Sequence, residues 1–280
     1  MPSDGHNFPL ICCFRKAALI LTIVVAALCV WPCGAATFST TPIADAFVTP
    51  GANGSLSSSN FGAAGALAIA AGGLPQGAFQ SVIKFDLSSV RSSLDAQYGQ
   101  DAWTVQSITL QLTATPHGNA IFNPVAAGQF SVSLMQDNSW VEGTGSGGIP
   151  TSDGISYNSL LNNNINNATD QGLGTFSFGG GTSGTSTYSL NLSSGLISDL
   201  VAGDDLSLRL FAADDQVSYL FSARSSAGIG SPTLTIVATP EPGGLSLMLC
   251  GTGLAALARW QFAKKQKIGN IFFARASNHQ

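Results

Sequence analysis

Apolar and polar residues alternate through most of the middle of this chain. In 107–115, SITLQLTAT, Ile108, Leu110 and Leu112 take one side while Thr109, Gln111 and Thr113 take the other. In 129–135, QFSVSLM, Phe130, Val132 and Leu134 alternate with polar neighbours. The same period of two runs through 187–192, 206–211, 217–222 and 232–238, and 43–48, 66–70 and 81–87 are further candidates. A period of two belongs to a β strand with one buried face. Clusters of Gly, Ser, Asn and Pro separate the runs, as turns do. About nine strands punctuated in this way predict an all-β, antiparallel sandwich. Two segments predict short helices instead, 88–98 and 193–203, the second stopping at Gly203 as helix C-termini often do. The polar stretch 143–174 predicts a long loop or lid with a little helix. No fixed-period repeat is present, so one domain is expected.

The two ends of the chain follow a different rule. Arg15 and Lys16 precede an apolar run, Ala17–Val30, and the small residues of PCGAA follow it. That order of basic, apolar and small residues predicts a signal peptide over 1–36, cleaved after Ala36. A second apolar run, 243–258, is uncharged until Arg259, with Trp260, Lys264, Lys265 and Lys267 beyond it. As a helix at ~1.5 Å per residue it covers roughly 24 Å, close to a bilayer core. Basic residues beside both apolar runs predict cytoplasmic ends, including a 268–280 tail, and an exported middle. All five cysteines lie at the ends, at 12, 13, 29, 33 and 250. The exported segment therefore has neither disulfides nor thiol chemistry, and its fold rests on its own core, a metal or partners.

Charge narrows the function classes. Residues 37–242 carry four cations, Lys84, Arg91, Arg209 and Arg224, against fourteen carboxylates, a net of −10. Nucleic-acid binding wants a basic face, so it is not expected. His117 is the segment's one histidine and cannot build a metal triad. The expectation is no enzyme and no cofactor. Asp204–Asp205, Asp214–Asp215 and the SDGIS stretch at 152–156 carry carboxylates of the kind that bind structural Ca²⁺, but without EF-hand spacing.

The C-terminal stretch resembles the PEP-CTERM sorting signal of Gram-negative bacteria. The resemblance rests on Pro240, Glu241, Pro242, the pair Gly243–Gly244, the apolar run, and Arg259 with the lysines after it. It implies recognition and processing by an exosortase-type membrane peptidase. It also implies a transient membrane anchor through 243–258, then the cell surface or an exopolysaccharide biofilm matrix. Pro240 and Pro242 lack amide hydrogens and disfavour helix before them, which holds Glu241 extended. The exported region resembles the DNRLRE, or disaggregatase-related, domain. The carriers are 44–73, with ADAFV at 44–48 and Asn60-Phe61-Gly62, then SVIKFDLSSV (81–90), SWVEGTGSG (139–147) and FSARSSAGIGSPTLTIV (221–237). That resemblance implies a jelly-roll type β sandwich and association with polysaccharide.

Six residues then become candidate ligand contacts. Lys84 and Asp86 alternate against Ile83, Phe85 and Leu87. Lys84 is expected either to meet a uronate carboxylate or to pair with an aspartate across strands. Arg209 and Arg224 carry the same two readings. Trp140 and Glu142 are expected to stack and hydrogen-bond a sugar, or to pack over the sandwich end and cap a turn. The overall expectation is a non-catalytic exported surface or matrix protein associated with polysaccharide. A glycan-active enzyme and a purely structural surface protein are the alternatives.

Overall fold

Residues 34–115, 127–226, 230–241 and Arg259 are described by a computed structural model of the protein. Eleven strands are present among them. They are β1 (Ala36–Thr40), β2 (Pro42–Val48), β3 (Ala66–Ala70), β4 (Gln80–Asp86), β5 (Trp103–Thr113), β6 (Gly128–Met135), β7 (Gln171–Phe178), β8 (Thr185–Leu190), β9 (Asp205–Ala212), β10 (Ser218–Ser222) and β11 (Thr233–Pro240). They form a five-stranded sheet ordered β2-β4-β9-β6-β7, a four-stranded sheet ordered β1-β11-β5-β8, and a β10-β3 pair. The ladders β1–β11, β10–β3, β2–β4, β4–β9, β9–β6, β6–β7 and β5–β8 are antiparallel, in keeping with the alternating pattern.

The alternation sorts side chains as expected. Ile83 and Phe85 of β4, Phe130, Val132 and Leu134 of β6, and Leu206, Leu208 and Leu210 of β9 turn inward. They meet Ile108, Leu110 and Leu112 of β5, with Leu234 and Ile236 of β11. Aromatic rings bridge the layers. Phe130 stands edge-on to Tyr188 of β8, centroids 5.1 Å apart, and 6.1 Å from Phe221 of β10. The all-β sandwich read from the sequence is thus the architecture of residues 35–239, which form one compact unit.

Helix α1 (Ser88–Tyr98) covers the core with Val90 and Leu94, and α3 (Ser194–Ala202) does so with Leu196 and Leu200. The Asp86 carboxylate accepts from the Ser88 amide, the first of α1, at 2.8 Å. Ser193 caps α3, and Gly203 closes it in the left-handed region at φ 72°.

Two strands escape a periodicity reading. β1 carries one large apolar residue, Phe38, against the core. β7 begins inside the expected 143–174 loop. Its ladder with β6 shifts between Val132 and Ser133, with Gly174 at φ +142°. This bulge changes which side chains face inward, so Leu173, Phe176 and Phe178 reach the core out of step. The rest of the insertion contains α2 (Tyr157–Ser159), which runs into a π turn over Leu160–Asn164. No helix among the described residues is long and apolar enough to cross a membrane. The run 243–258 expected to do so, and most of the expected signal peptide, lie outside the described residues.

Candidate functional site

The outward face of the five-stranded sheet carries most of the candidate chemistry. Its first rows belong to a second, smaller core. There Ala46, Val48, Val82 and Met135 pack with Trp140, Ile155 and Leu160 from the segment after β6. Lys84 sits in this core at 8% exposure. Its ammonium donates to the Asn138 and Trp140 carbonyls at 2.7 and 2.8 Å, and lies 4.7 Å from the Trp140 ring centroid. Burial pulls its pKa below the usual lysine value, while Asp205 and Asp137 pull the other way. The Trp140 indole is 5% exposed and donates to the Ser207 hydroxyl at 2.9 Å. Lys84 and Trp140 are thereby committed to each other. The geometry gives them a packing role, and the Trp140 face stands inside the protein.

Glu142 and Arg224 meet as a surface ion pair, with Arg224 Nε donating to Glu142 Oε1 at 3.1 Å and Nη2 donating to Oε2. Beneath them Asp45 is fully buried. Its Oδ2 accepts from the Arg224 amide at 2.6 Å, and Glu142 Oε1 accepts from the Asp45 amide at 3.2 Å. Asn60 is the hub of the same region. Its amide group donates to the carbonyls of Glu142 (2.6 Å) and Ile155 (2.8 Å), and its Oδ1 accepts from the Gly62 and Gly145 amides, each at 3.1 Å. Asn60 is fully buried, so all four of its hydrogen-bonding positions must be filled from the protein. Gly143 and Gly145 permit this approach: a Cβ on either would collide with Asn60. The short stretches at 44–48, 60–62, 139–145 and 221–226, distant in sequence, thus converge on one polar junction, and 81–87 lies beside it, paired with β2 and tied to Asn138 and Trp140 through Lys84.

Sequence reasoning missed Asp45 and Asn60. A signal was present at each: Asp45 is a lone charge inside an apolar strand, and Asn60 opens the Asn-Phe-Gly motif. Neither says what the side chain will bind.

The junction should make stability depend on pH. Burial, with Glu142 adding repulsion, raises the Asp45 carboxyl from 3.8 to about 6, although the Arg224 amide pulls it down. Its Oδ1 has no hydrogen-bond partner. A carboxyl raised on folding contributes stability that is complete below its unfolded value of 3.8 and is lost as pH rises through about 6. The loss is on the order of 2–3 kcal/mol. Asp199 is also raised to about 6, by burial and then by Asp204. Asp153 runs the other way. Hydrogen bonds from Thr151 and Thr144 lower it to about 2, so its contribution exists above 3.8 and is lost as pH falls through about 2. Urea midpoints are therefore expected to rise from pH 7 to about pH 4, then fall. Asp45→Asn should flatten much of the slope between pH 4 and 7.

Farther along the same face the sheet is less covered. Arg209 of β9 is half-buried, donates from Nε to Gln80 Oε1 at 2.7 Å, and lies 4.2 Å from the Phe211 ring centroid. Burial lowers its pKa, opposed by Asp170 and then Tyr157. Lys84, Arg91 and Arg224 bond to carbonyls or carboxylates, whereas Arg209 bonds to the side-chain amide of Gln80. Ser131 stands opposite Phe211 in the ladder and opposite Thr175 on its other side, their hydroxyls 2.9 Å apart. Arg209, Phe211, Gln80, Ser131 and Thr175 give a planar cation, a ring, an amide and hydroxyls on one face.

Of the remaining candidates, Asp86 accepts from the Ser88 amide just before α1. Asp214 accepts from the Gln216 and Val217 amides through Oδ1, and from the Gln129 amide through Oδ2. Asp205 stands opposite Asp86 in the β4–β9 ladder. Among the described residues, no group of three or more His, Cys, Asp or Glu is placed to hold a metal ion. Of the residues expected to form a sorting motif, Pro240 is the last residue of β11, Glu241 follows it exposed, and Pro242 lies outside the described residues. Arg259 is exposed.

No family model and no curated protein matches the chain. Among solved structures, it is similar to a protein of the cowpea mosaic virus top component, described as naturally occurring empty particles. Identity is 11% over 73% of this chain and 84% of that one, with a TM-score of 0.23, too low to argue fold or function from.

Proposed function

We propose that this is a non-catalytic, exported surface or extracellular-matrix protein that associates with polysaccharide through the Arg209 face. In this reading the sandwich is of jelly-roll type. The C-terminal tail is a PEP-CTERM signal, processed by an exosortase-type membrane peptidase after transient anchoring. The carrying observation is the half-open set of Arg209 on Phe211 beside Gln80, Ser131 and Thr175. An aromatic ring suits the apolar face of a pyranose, and amides, hydroxyls and a guanidinium suit its hydroxyls and carboxylates. The convergence of the resemblance-bearing motifs on one junction supports a shared fold with the disaggregatase-related domain. It leaves Lys84, Trp140, Glu142 and Arg224 as the frame of that fold rather than its contact surface. The domain's excess of carboxylates favours neutral or weakly acidic glycans over highly charged ones.

The test is retention on an array of bacterial exopolysaccharides, followed by titration against whichever glycan is retained. Arg209→Ala and Phe211→Ala are each expected to weaken binding about tenfold, or ~1.4 kcal/mol, while thermal melting still shows a folded protein. No retention by the folded protein, or retention indifferent to both changes, overturns the reading.

A further inference from the structure

The Arg209 face is closed on two sides and open on two. Residues opposite each other in a ladder share one sheet face, so its covering can be followed strand by strand. Arg209 of β9 stands opposite Val82 of β4 on one side and Ser133 of β6 on the other. Toward β4 the face ends at once. Val82 and, on β2, Ala46 and Val48 are at most 1% exposed, packed with Trp140, Ile155 and Leu160 of the segment after β6. Tyr157 packs against the same core and lies within electrostatic reach of Arg209. Along β9, Ser207 precedes Arg209 on this face and is fully buried, accepting from the Trp140 indole. These covered side chains point out of the sheet, so what covers them stands above the floor as a wall. The other two sides differ. Toward β7, the edge strand, Ser133 is half-buried and Gly172 opposite it is exposed. Past Phe211, Ala213 is exposed, as are Gln129 and Ser177 beside it. At ~4.8 Å between strands and ~3.4 Å per residue along them, the open floor runs roughly 10 Å to β7 and roughly 14 Å to Ala213.

We infer that the Arg209 face takes the end of a glycan chain or side branch and excludes a chain interior. This rests on the proposed reading of that face as a polysaccharide contact. An extended chain that reaches the guanidinium from an open side meets the wall behind it and has no straight exit. A chain cutting across the open corner passes Thr175 and Gln129 but misses Arg209. The guanidinium is set to hold a terminal ring. Gln80 engages Nε at 2.7 Å, and the group lies 4.2 Å from the Phe211 ring centroid, which fixes the fork and leaves the two Nη nitrogens for a ligand. Such a fork matches a carboxylate or two neighbouring hydroxyls.

The test is a length series. Linear oligosaccharides of graded length, cut from whichever exopolysaccharide is retained, are titrated against the full chain, with affinity expressed per molecule. Affinity is expected to rise until a fragment fills the floor, then to hold within about twofold however long the fragment becomes. A binder of chain interiors gains with every added register, so about tenfold more registers would tighten it about tenfold. That continued rise overturns the end-binding inference and leaves the polysaccharide reading standing, as does binding of the polymer with none of any fragment. Retention of no polysaccharide by the folded protein overturns both together. Arg209→Ala should weaken all fragments of plateau length by the same factor, about tenfold. A loss that fades as fragments lengthen would place the bound end elsewhere and overturn the inference. Where Arg209→Ala does not fold, the length series on the parent decides alone.

Discussion

Asn60→Ala is expected to destabilise the protein by about 3–5 kcal/mol. The side chain makes four hydrogen bonds, to the carbonyls of Glu142 and Ile155 and the amides of Gly62 and Gly145. Truncation leaves all four backbone groups without that partner at a fully buried position. Each such bond is worth about 1 kcal/mol net, and a stranded buried group costs about 1–3 kcal/mol. No water-sized substitute reaches all four at once, because Gly143 and Gly145 already pack against the residue. Asn60→Asp should be nearly as damaging, since an acceptor would replace the donor facing two carbonyls. Urea denaturation gives the size of the effect, and an unchanged slope would assign it to the folded state. A loss below about 1 kcal/mol would remove Asn60 from its place as the hub.

Lys84→Met is expected to cost about 2–4 kcal/mol. Methionine is one atom shorter than lysine but keeps an unbranched apolar stem, so packing around Trp140 largely survives. Two charge-assisted bonds, to the carbonyls of Asn138 and Trp140, are lost. Against this, removal of a buried ammonium relieves its desolvation, which keeps the cost below that of two stranded carbonyls in full. Trp140 fluorescence should shift on the substitution, because its ring loses the cation above it. Glycan retention by Lys84→Met, measured where the variant is folded, should match the parent. A loss of binding without a loss of stability would return Lys84 to the contact surface and displace Arg209 from it.

The difference between Lys84 and Arg209 is where sequence and structure part. Both are cations alternating with large apolar residues in strands of one sheet, and nothing in SVIKFDL or LSLRLF separates them. The insertion after β6 decides between them. Trp140, Ile155 and Leu160 lie over the Lys84 end of the face, while Arg209 lies beyond them beside Phe211. A segment dominated by Gly, Asn and Ser does not announce that three of its few apolar residues will build a second core. Similarly, Glu142 and Arg224 are 82 positions apart, and their pairing follows from the closing of the sandwich.

Alternation with period two was enough to define the strands whose inward residues form the main core, since burial of one sheet face imposes that period locally. The segments 88–98 and 193–203, the second stopping at Gly203, were legible as α1 and α3. The segregation of cysteines and basic residues to the two ends was also explicit, because composition needs no fold to be seen. Tertiary structure alone decided the bulge that brings β7 into register. It decided the burial of Asp45 and Asn60 under Glu142 and Arg224, and the pairing of β1 with β11 that puts both chain exits at one end. Each of these depends on contacts between residues far apart in the chain. Such contacts exist only once loop closure is repaid by a shared core, and no local pattern encodes them.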